Sequence, residues 1–356
     1  MNSFHSSALA LLLSLFSLES IAGTVAYITN SQSNNVSVID TNSNTVTATI
    51  NVGINPSGVS ISPDGARVYV TNYISNTVSV IRTSDNTVIA TVGVGVLPLG
   101  LSVSPDGARV YVANNGSDTV SVINTSNNTV IATVVGVGNQ PFGLTVSPDG
   151  ASVYIVNSLS STVSVIRTSD NTVTASFSVG ANPIGVSVSP DGTKIYVAST
   201  NSGQVFVIRT SNNTVMATVT VGDGPLGISA SLDGAKVYVA NTRDNTVSVI
   251  KTSDNTVIAT VNVGSNPYGI STTPDSTKVY VANYGNTAGN TVSVIRTSDN
   301  TVIGTVGVGT GPYSLGNFIG TVTLPSAVPT LSEWSQMLLG LMVISMLGWQ
   351  WRKQQN

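Results

Sequence analysis

Histidine occurs once in this 356-residue chain, at His5, cysteine is absent, and glutamate stands only at Glu19 and Glu333. A zinc site of the ordinary type needs His or Cys, and a Ser-His-Asp triad needs an imidazole, so most of the chain can build neither. What remains for chemistry is Asp, Arg, Lys, Tyr and hydroxyl groups. Most of the aspartates sit in turn sequences. Asp64, Asp106, Asp149 and Asp191 follow Ser-Pro and precede Gly, while Asp85, Asp170, Asp254 and Asp299 precede Asn. With Arg67, Arg82, Arg109, Arg167 and Lys194 close by in sequence, they read as turn chemistry and weak surface pairing. A carboxylate pair for glycoside hydrolysis has no motif behind it. No D-x-D-x-D loop suggests calcium. Neither a metal nor a cofactor is therefore expected. Charged residues make up 8% of the chain, the net charge is −3, and no Lys/Arg run exists, which argues against a nucleic-acid partner.

The elements that must position these groups repeat. Tyrosine recurs at 27, 69, 111, 154, 196, 238 and 280, in steps of 42 or 43 residues. A fixed period near 40 residues marks a repeat architecture. Within Pro56–Gly95 the unit divides into four strands rich in Val, Ile, Thr and Tyr: A (Gly58–Ser62), B (Arg67–Thr71), C (Thr77–Arg82) and D (Thr87–Val94). Small or apolar residues on both faces of strand C predict a sheet packed between two neighbours. Ser62-Pro63-Asp64-Gly65 turns A into B and Asp85-Asn86 turns C into D; both are established turn formers.

The two ends of the chain are out of phase with the repeat. The first unit begins at its B strand (Val25–Thr29), six full units follow, and residues 311–319 supply one more A-like strand. The expected fold is therefore all-β, a seven-bladed propeller of four-stranded blades over residues 23–320. The last strand completes the first blade and removes the open sheet edges.

This topology puts the A–B and C–D turns on one rim and the more variable B–C and D–A connections on the other. Variation on one face of a repeat protein marks a binding face. The candidate site there comprises Tyr73, Leu97, Leu99, Phe142, Tyr268, Tyr284 and Tyr313. Asp118, Asp223, Arg243 and Asp244 are the polar partners, and the aromatics resemble interface anchors. A plainer reading is that the residue between Pro and Gly (Leu99, Phe142, Ile184, Leu226, Tyr268) plugs the channel.

Outside the ring, residues 1–22 read as a secretory signal. An 11-residue apolar run from Ala8 to Leu18 precedes Ser20-Ile21-Ala22, a small-x-small cleavage site. Residues 321–333 form a linker. Residues 334–351 are mostly apolar, about 27 Å long if helical, and read as a transmembrane helix ahead of a basic tail, residues 352–356, with Arg352-Lys353.

Tyr-Val-x-Asn and Ser-Pro-Asp-Gly recurring together over Val25 to about Ile319 resemble the YVTN β-propeller family, a WD40-like group of bacterial and archaeal surface proteins. The resemblance implies seven blades and an extracytoplasmic location but no single reaction. Lactonases and domains of haem or copper enzymes are among the related propellers. Val328, Pro329, Thr330, Leu331 and Trp334, followed by the apolar segment and Arg352-Lys353, resemble the IPTL-CTERM sorting signal of Gram-negative bacteria. That implies a membrane sorting protease as a partner and the cell envelope or surface as destination. The expected function is a non-enzymatic, surface-displayed ring that binds protein or glycan, or serves as an envelope component. The rival is an extracytoplasmic lactonase-like or lyase-like enzyme using Asp, Arg and Tyr, against which the missing His and Glu count.

Overall fold

The computed structural model describes residues 22–285 and 289–323. These form seven four-stranded antiparallel sheets, each running A to D from the axis outward. In the second blade the strands are Pro56–Ile61, Arg67–Asn72, Thr77–Arg82 and Thr87–Gly93, within two residues of the sequence-based boundaries. The expected seven-bladed, all-β ring is found. No helix among the described residues is long and apolar enough to cross a membrane. The signal-like start, the sorting-like motif, the apolar segment 334–351 and the basic tail lie outside the described residues.

The repeated residues explain the blade. The Tyr of strand B is buried in every copy, 0–5% exposed, between its own blade and the next. Tyr280 donates its hydroxyl to Asn44 Oδ1 at 2.5 Å and Tyr27 donates to Asn86 Oδ1 at 3.2 Å, each reaching the C–D turn of the following blade. The Asn that ends strand B staples two loops. Asn72 Nδ2 donates to Thr77 Oγ1 and Ser79 Oγ, at 3.0 and 2.9 Å, and its Oδ1 accepts Gly53 N–H at 3.0 Å. In the A–B turn Ser62 Oγ donates to Asp64 at 2.5 Å and Asp64 accepts Ala66 N–H at 3.0 Å. Those bonds hold the Asp64 carboxyl below the usual range, the Ser62 hydroxyl contributing most.

Neighbouring inner strands meet so closely that the Gly of Pro-x-Gly is obligatory. A Cβ on Gly58, Gly100, Gly143, Gly185 or Gly227 would collide with the backbone carbonyl of Leu99, Phe142, Ile184, Leu226 or Tyr268 respectively, in the next blade. Further out, Arg67 donates to the Thr125 carbonyl and Lys278, at 2.5 Å, to the Thr41 carbonyl, latching blade to blade.

Closure occurs as expected, with a shifted register. Pro312 bridges Asn30 much as Pro56 pairs with Asn72, but the ladder resumes only at Ile319–Thr323, which pairs with residues 22–26. In the second blade the paired Ile61 comes five positions after Pro56; in the first, Ile319 comes seven positions after Pro312. The surplus forms a bulge at Gly316-Asn317, and Gly316 takes a φ of +108°, which a side chain would strain. Tyr27 N–H donates to Phe318 O at 2.9 Å and Thr29 N–H to Ser314 Oγ at 3.0 Å, so the seam is bonded along its length.

Candidate functional site

On the B–C and D–A rim the structure gathers most of the expected aromatics. Tyr268 lies 5.0 Å from Tyr284 and 4.8 Å from Tyr313, centroid to centroid, and Tyr284 meets Tyr313 nearly edge-on at 5.9 Å. Tyr268, Tyr313 and Phe142 pack on buried Ile184, Leu226 and Leu315. The plainer reading therefore describes this cluster: it seals one end of the axis. Leu99 is buried beside it through its backbone, while Leu97 turns outward over Gly116 in its own blade. Tyr73 stands half-buried at the edge of the cluster. Burial pushes the Tyr313 and Tyr268 phenols up, with neighbouring tyrosines adding to the effect, so both stay protonated and cannot serve as bases.

The polar partners expected there do not converge on the aromatics. Arg243 pairs with Asp223 at 3.0 Å, both more than half exposed. Asp244 accepts Asp223 N–H at 2.6 Å, and Asp118 accepts Gln140 N–H at 2.7 Å. Asp118 does for its loop what Asn34 does for Asn55 and Asn76 for Leu97, and Asp244 does what Ser75 does for Ile54.

Below the plug a cavity of about 590 Å³ follows the axis to the prolines of the A–B turns. This is the size of a small-molecule site. All seven inner strands line it, and none of its lining residues is charged. Ser60, Ser102, Thr145, Ser187, Ser229 and Ser271 occupy one repeat position around the wall. Their local purpose is visible in three of them. Ser60, Ser187 and Ser229 accept N–H groups from the next inner strand, Val103 at 3.3, Ala230 at 3.1 and Thr272 at 3.3 Å, satisfying an edge that has no further strand. The hydroxyls of Ser102 and Thr145 make no hydrogen bond among the described residues. The seventh position breaks the pattern: Phe318 occupies it and is buried, while Gly316 and Asn317 of the preceding bulge enter the cavity, and Asn317 Oδ1 accepts the Ser271 hydroxyl at 3.1 Å. Sequence reasoning passed over these groups. The Ser or Thr two residues after each Pro-x-Gly was the available signal; Asn317 had none, because its place depends on how the ring closes.

The described residues contain no group of three or more His, Cys, Asp or Glu able to hold a metal. The groups that line the cavity are neutral side chains and backbone. Burial and neutrality favour an uncharged ligand over an ionic one, because an ion would lose its hydration without gaining a partner.

Residues 4–136, the stretch through the third blade, match the family model described as lactonase, 7-bladed beta-propeller. Hydrazine synthase of Kuenenia stuttgartiensis is similar at 24% identity and TM-score 0.70, over 76% of this chain and 92% of that one. A functionally unknown protein from Desulfotomaculum acetoxidans is similar at 19% and 0.72, over 85% and 99%. Dihydro-heme d1 dehydrogenase NirN is similar at 16% and 0.60, over 80% of this chain and 63% of that one. At these identities the likenesses show the fold. No curated protein matches. The lactonase match overturns the expectation of a non-enzymatic binding or structural ring. The absence of His and Glu from the ring excludes particular mechanisms, not catalysis as such. Over its first three blades the chain is similar to the lactonase family of seven-bladed propellers.

Proposed function

We propose that the ring is an extracytoplasmic lactonase-like hydrolase that holds a small, uncharged cyclic ester in the axial cavity. The observation that carries this reading is the lactonase-family match over residues 4–136. The neutral, hydroxyl-bearing cavity supports it, because a lactone is itself neutral and offers a carbonyl and a ring oxygen to hydrogen-bond donors. In the reaction water adds to the carbonyl carbon, the acyl–oxygen bond of the ring breaks, and the ring oxygen leaves as a hydroxyl. The hydroxy acid formed releases a proton at neutral pH. Fixed donors aimed at the carbonyl oxygen stabilise the charge that develops as water adds, and this is where an uncharged site can accelerate the step. Lyase chemistry has less support, since it needs a base to abstract a carbon-bound proton and no titratable carboxylate or amine lines the cavity. The leader-like start and the YVTN-type repeats support the extracytoplasmic placement, and the sorting-like tail supports the envelope as destination.

The test is a pH-stat assay of the purified protein against δ-gluconolactone, γ-butyrolactone and an acyl-homoserine lactone. Saturable acid release above the buffer rate, lost on heat denaturation, is expected for at least one of them. Buffer-rate opening of all three sinks the reading. Fractionation of expressing cells checks the location, with the ring expected outside the cytoplasm.

A further inference from the structure

The cavity wall repeats around the axis except at the closure seam, and the exception is chemically specific. Six inner strands present a hydroxyl at the same position; in the seventh the residue in register is the buried Phe318, and the bulge just before it presents the amide of Asn317. The bulge that carries it reaches well across the channel. A Cβ on Gly316 would lie 2.7 Å from the Val59 carbonyl and 3.3 Å from the Leu101 carbonyl, so the turn passes the second blade and approaches the third. Ser102, whose hydroxyl is unengaged among the described residues, follows Leu101. Asn317 is exposed to the cavity, and the Ser271 hydroxyl donates to its Oδ1 at 3.1 Å. That bond fixes the plane of the amide and leaves Nδ2 with two N–H donors and no partner among the described residues.

We propose that Asn317 is the substrate-orienting donor of the axial cavity. Nδ2 hydrogen-bonds the carbonyl oxygen of a neutral, hydroxyl-bearing cyclic ester, and the Ser102 and Thr145 hydroxyls engage the ring's own hydroxyl groups. The inference rests on the hydrolase reading for the ester, but the recognition it describes extends to any neutral ring with the same carbonyl. Three features select that class. An ion gains no counter-charge from the lining. A wholly apolar ring would displace water from the amide and two hydroxyls without replacing its hydrogen bonds. A single amide set into an otherwise repeating wall gives the ligand one preferred rotation about the axis, which a sevenfold wall could not.

The experiment is calorimetric binding of D-glucono-δ-lactam, the amide analogue with a far less labile ring bond, to the full chain and to Asn317→Asp, with thermal melts of both and δ-gluconolactone kinetics in parallel. Asn317→Asp keeps the shape of the side chain and the acceptor for Ser271 but replaces the NH2 donor with a carboxylate oxygen, adding a charge that Asn317→Gln does not. The expected result is lactam binding to the unmodified chain and at least tenfold weaker binding to Asn317→Asp, with melting temperatures within about 2 °C. Asn317→Gln, which restores the donor, should recover part of the affinity. Equal affinity for the unmodified chain and Asn317→Asp, or no binding of the lactam at millimolar concentration, overturns the proposal. Asn317-dependent lactam binding without any lactone opening upholds this site and defeats the hydrolase reading. Lactone opening with the same kcat/KM in Asn317→Asp does the reverse.

Discussion

The two ends of the axis solve opposite problems with the same seven strands. At the B–C and D–A end the residue after Pro differs between blades, being Leu99, Phe142, Ile184, Leu226 and Tyr268, and the side chains fill the hole around which the strands converge. Seven identical side chains would leave a void or collide there, so variety serves packing. At the A–B end the residues hardly vary, and the hole stays open as the cavity. Blade-to-blade variation therefore marked the stopper, while the part with room for a ligand is built from the most repetitive positions. Its one irregularity comes from the chain closing on itself.

The largest test of that contrast is the seam, because both ends depend on it. Deleting residues 312–323 removes the inner strand of the first blade, the Tyr313 contacts and Asn317 together. The ring should fail to fold or melt at least about 15 °C lower, several kcal/mol for a domain of this size. Removing residues 116 and 117 from an exposed B–C loop should shift the melt by no more than a few degrees. Similar melting temperatures for the two deletions would mean that closure contributes little.

Alkaline titration should come next in size. Tyr196 is pushed up to about 12 by burial, and burial also raises Tyr27, Tyr69, Tyr154, Tyr238 and Tyr280 above 10. Above pH 10 the unfolded chain loses these protons while the ring retains them. The unfolded state then binds fewer protons, and stability falls as pH rises, by up to about 1.4 kcal/mol per pH unit for each such tyrosine. Below pH 10 this contribution is constant. Melting temperatures that stay level from pH 9 to pH 11 would contradict the burial of these phenols.

Single substitutions at the two ends separate packing from recognition. Tyr313→Ala at the stopper should lose about 3 kcal/mol in denaturant unfolding and leave lactone turnover per folded molecule unchanged. Ser102→Ala in the cavity should cost no more than about 1 kcal/mol, since its hydroxyl is unengaged, and should raise KM for a hydroxylated lactone. The reverse pattern would put the site on the rim with Tyr268 and Tyr284.

The smallest effect belongs to the turns outside both regions. Asp64→Ala removes the acceptor for Ser62 and for Ala66 N–H and should lower stability by about 1 kcal/mol or less. Asp106, Asp149 and Asp191 are lowered for the same reason, chiefly by the serine hydroxyl of each turn. Their contribution is present above pH 4 and is lost as the pH falls through their lowered values, so a melt at pH 3 should be modestly below one at pH 6. No such drop in the acid range would show that these bonds are not made in solution.

Much of this molecule was legible from its residues alone. The 42-residue step, the Ser-Pro-Asp-Gly and Asp-Asn turns and the phase shift at the two ends specify strand order, blade number and the manner of closure, because each is a local signal repeated until chance is excluded. Locality also sets the limit. The sequence reads Gly316-Asn317 as part of a strand like the other six. Only the ring shows that Pro312 and Ile319 pair with residues some 285 positions earlier, that two residues are left over between them, and that the surplus must go inward. The aromatics read as separate anchors along the chain, and it took the convergence of seven inner strands to pack Tyr268, Tyr284 and Tyr313 against one another, each still partly exposed. Which hydroxyls stay free is decided in the same way, by whether the neighbouring strand offers an amide within reach, and that distance is a property of the closed ring.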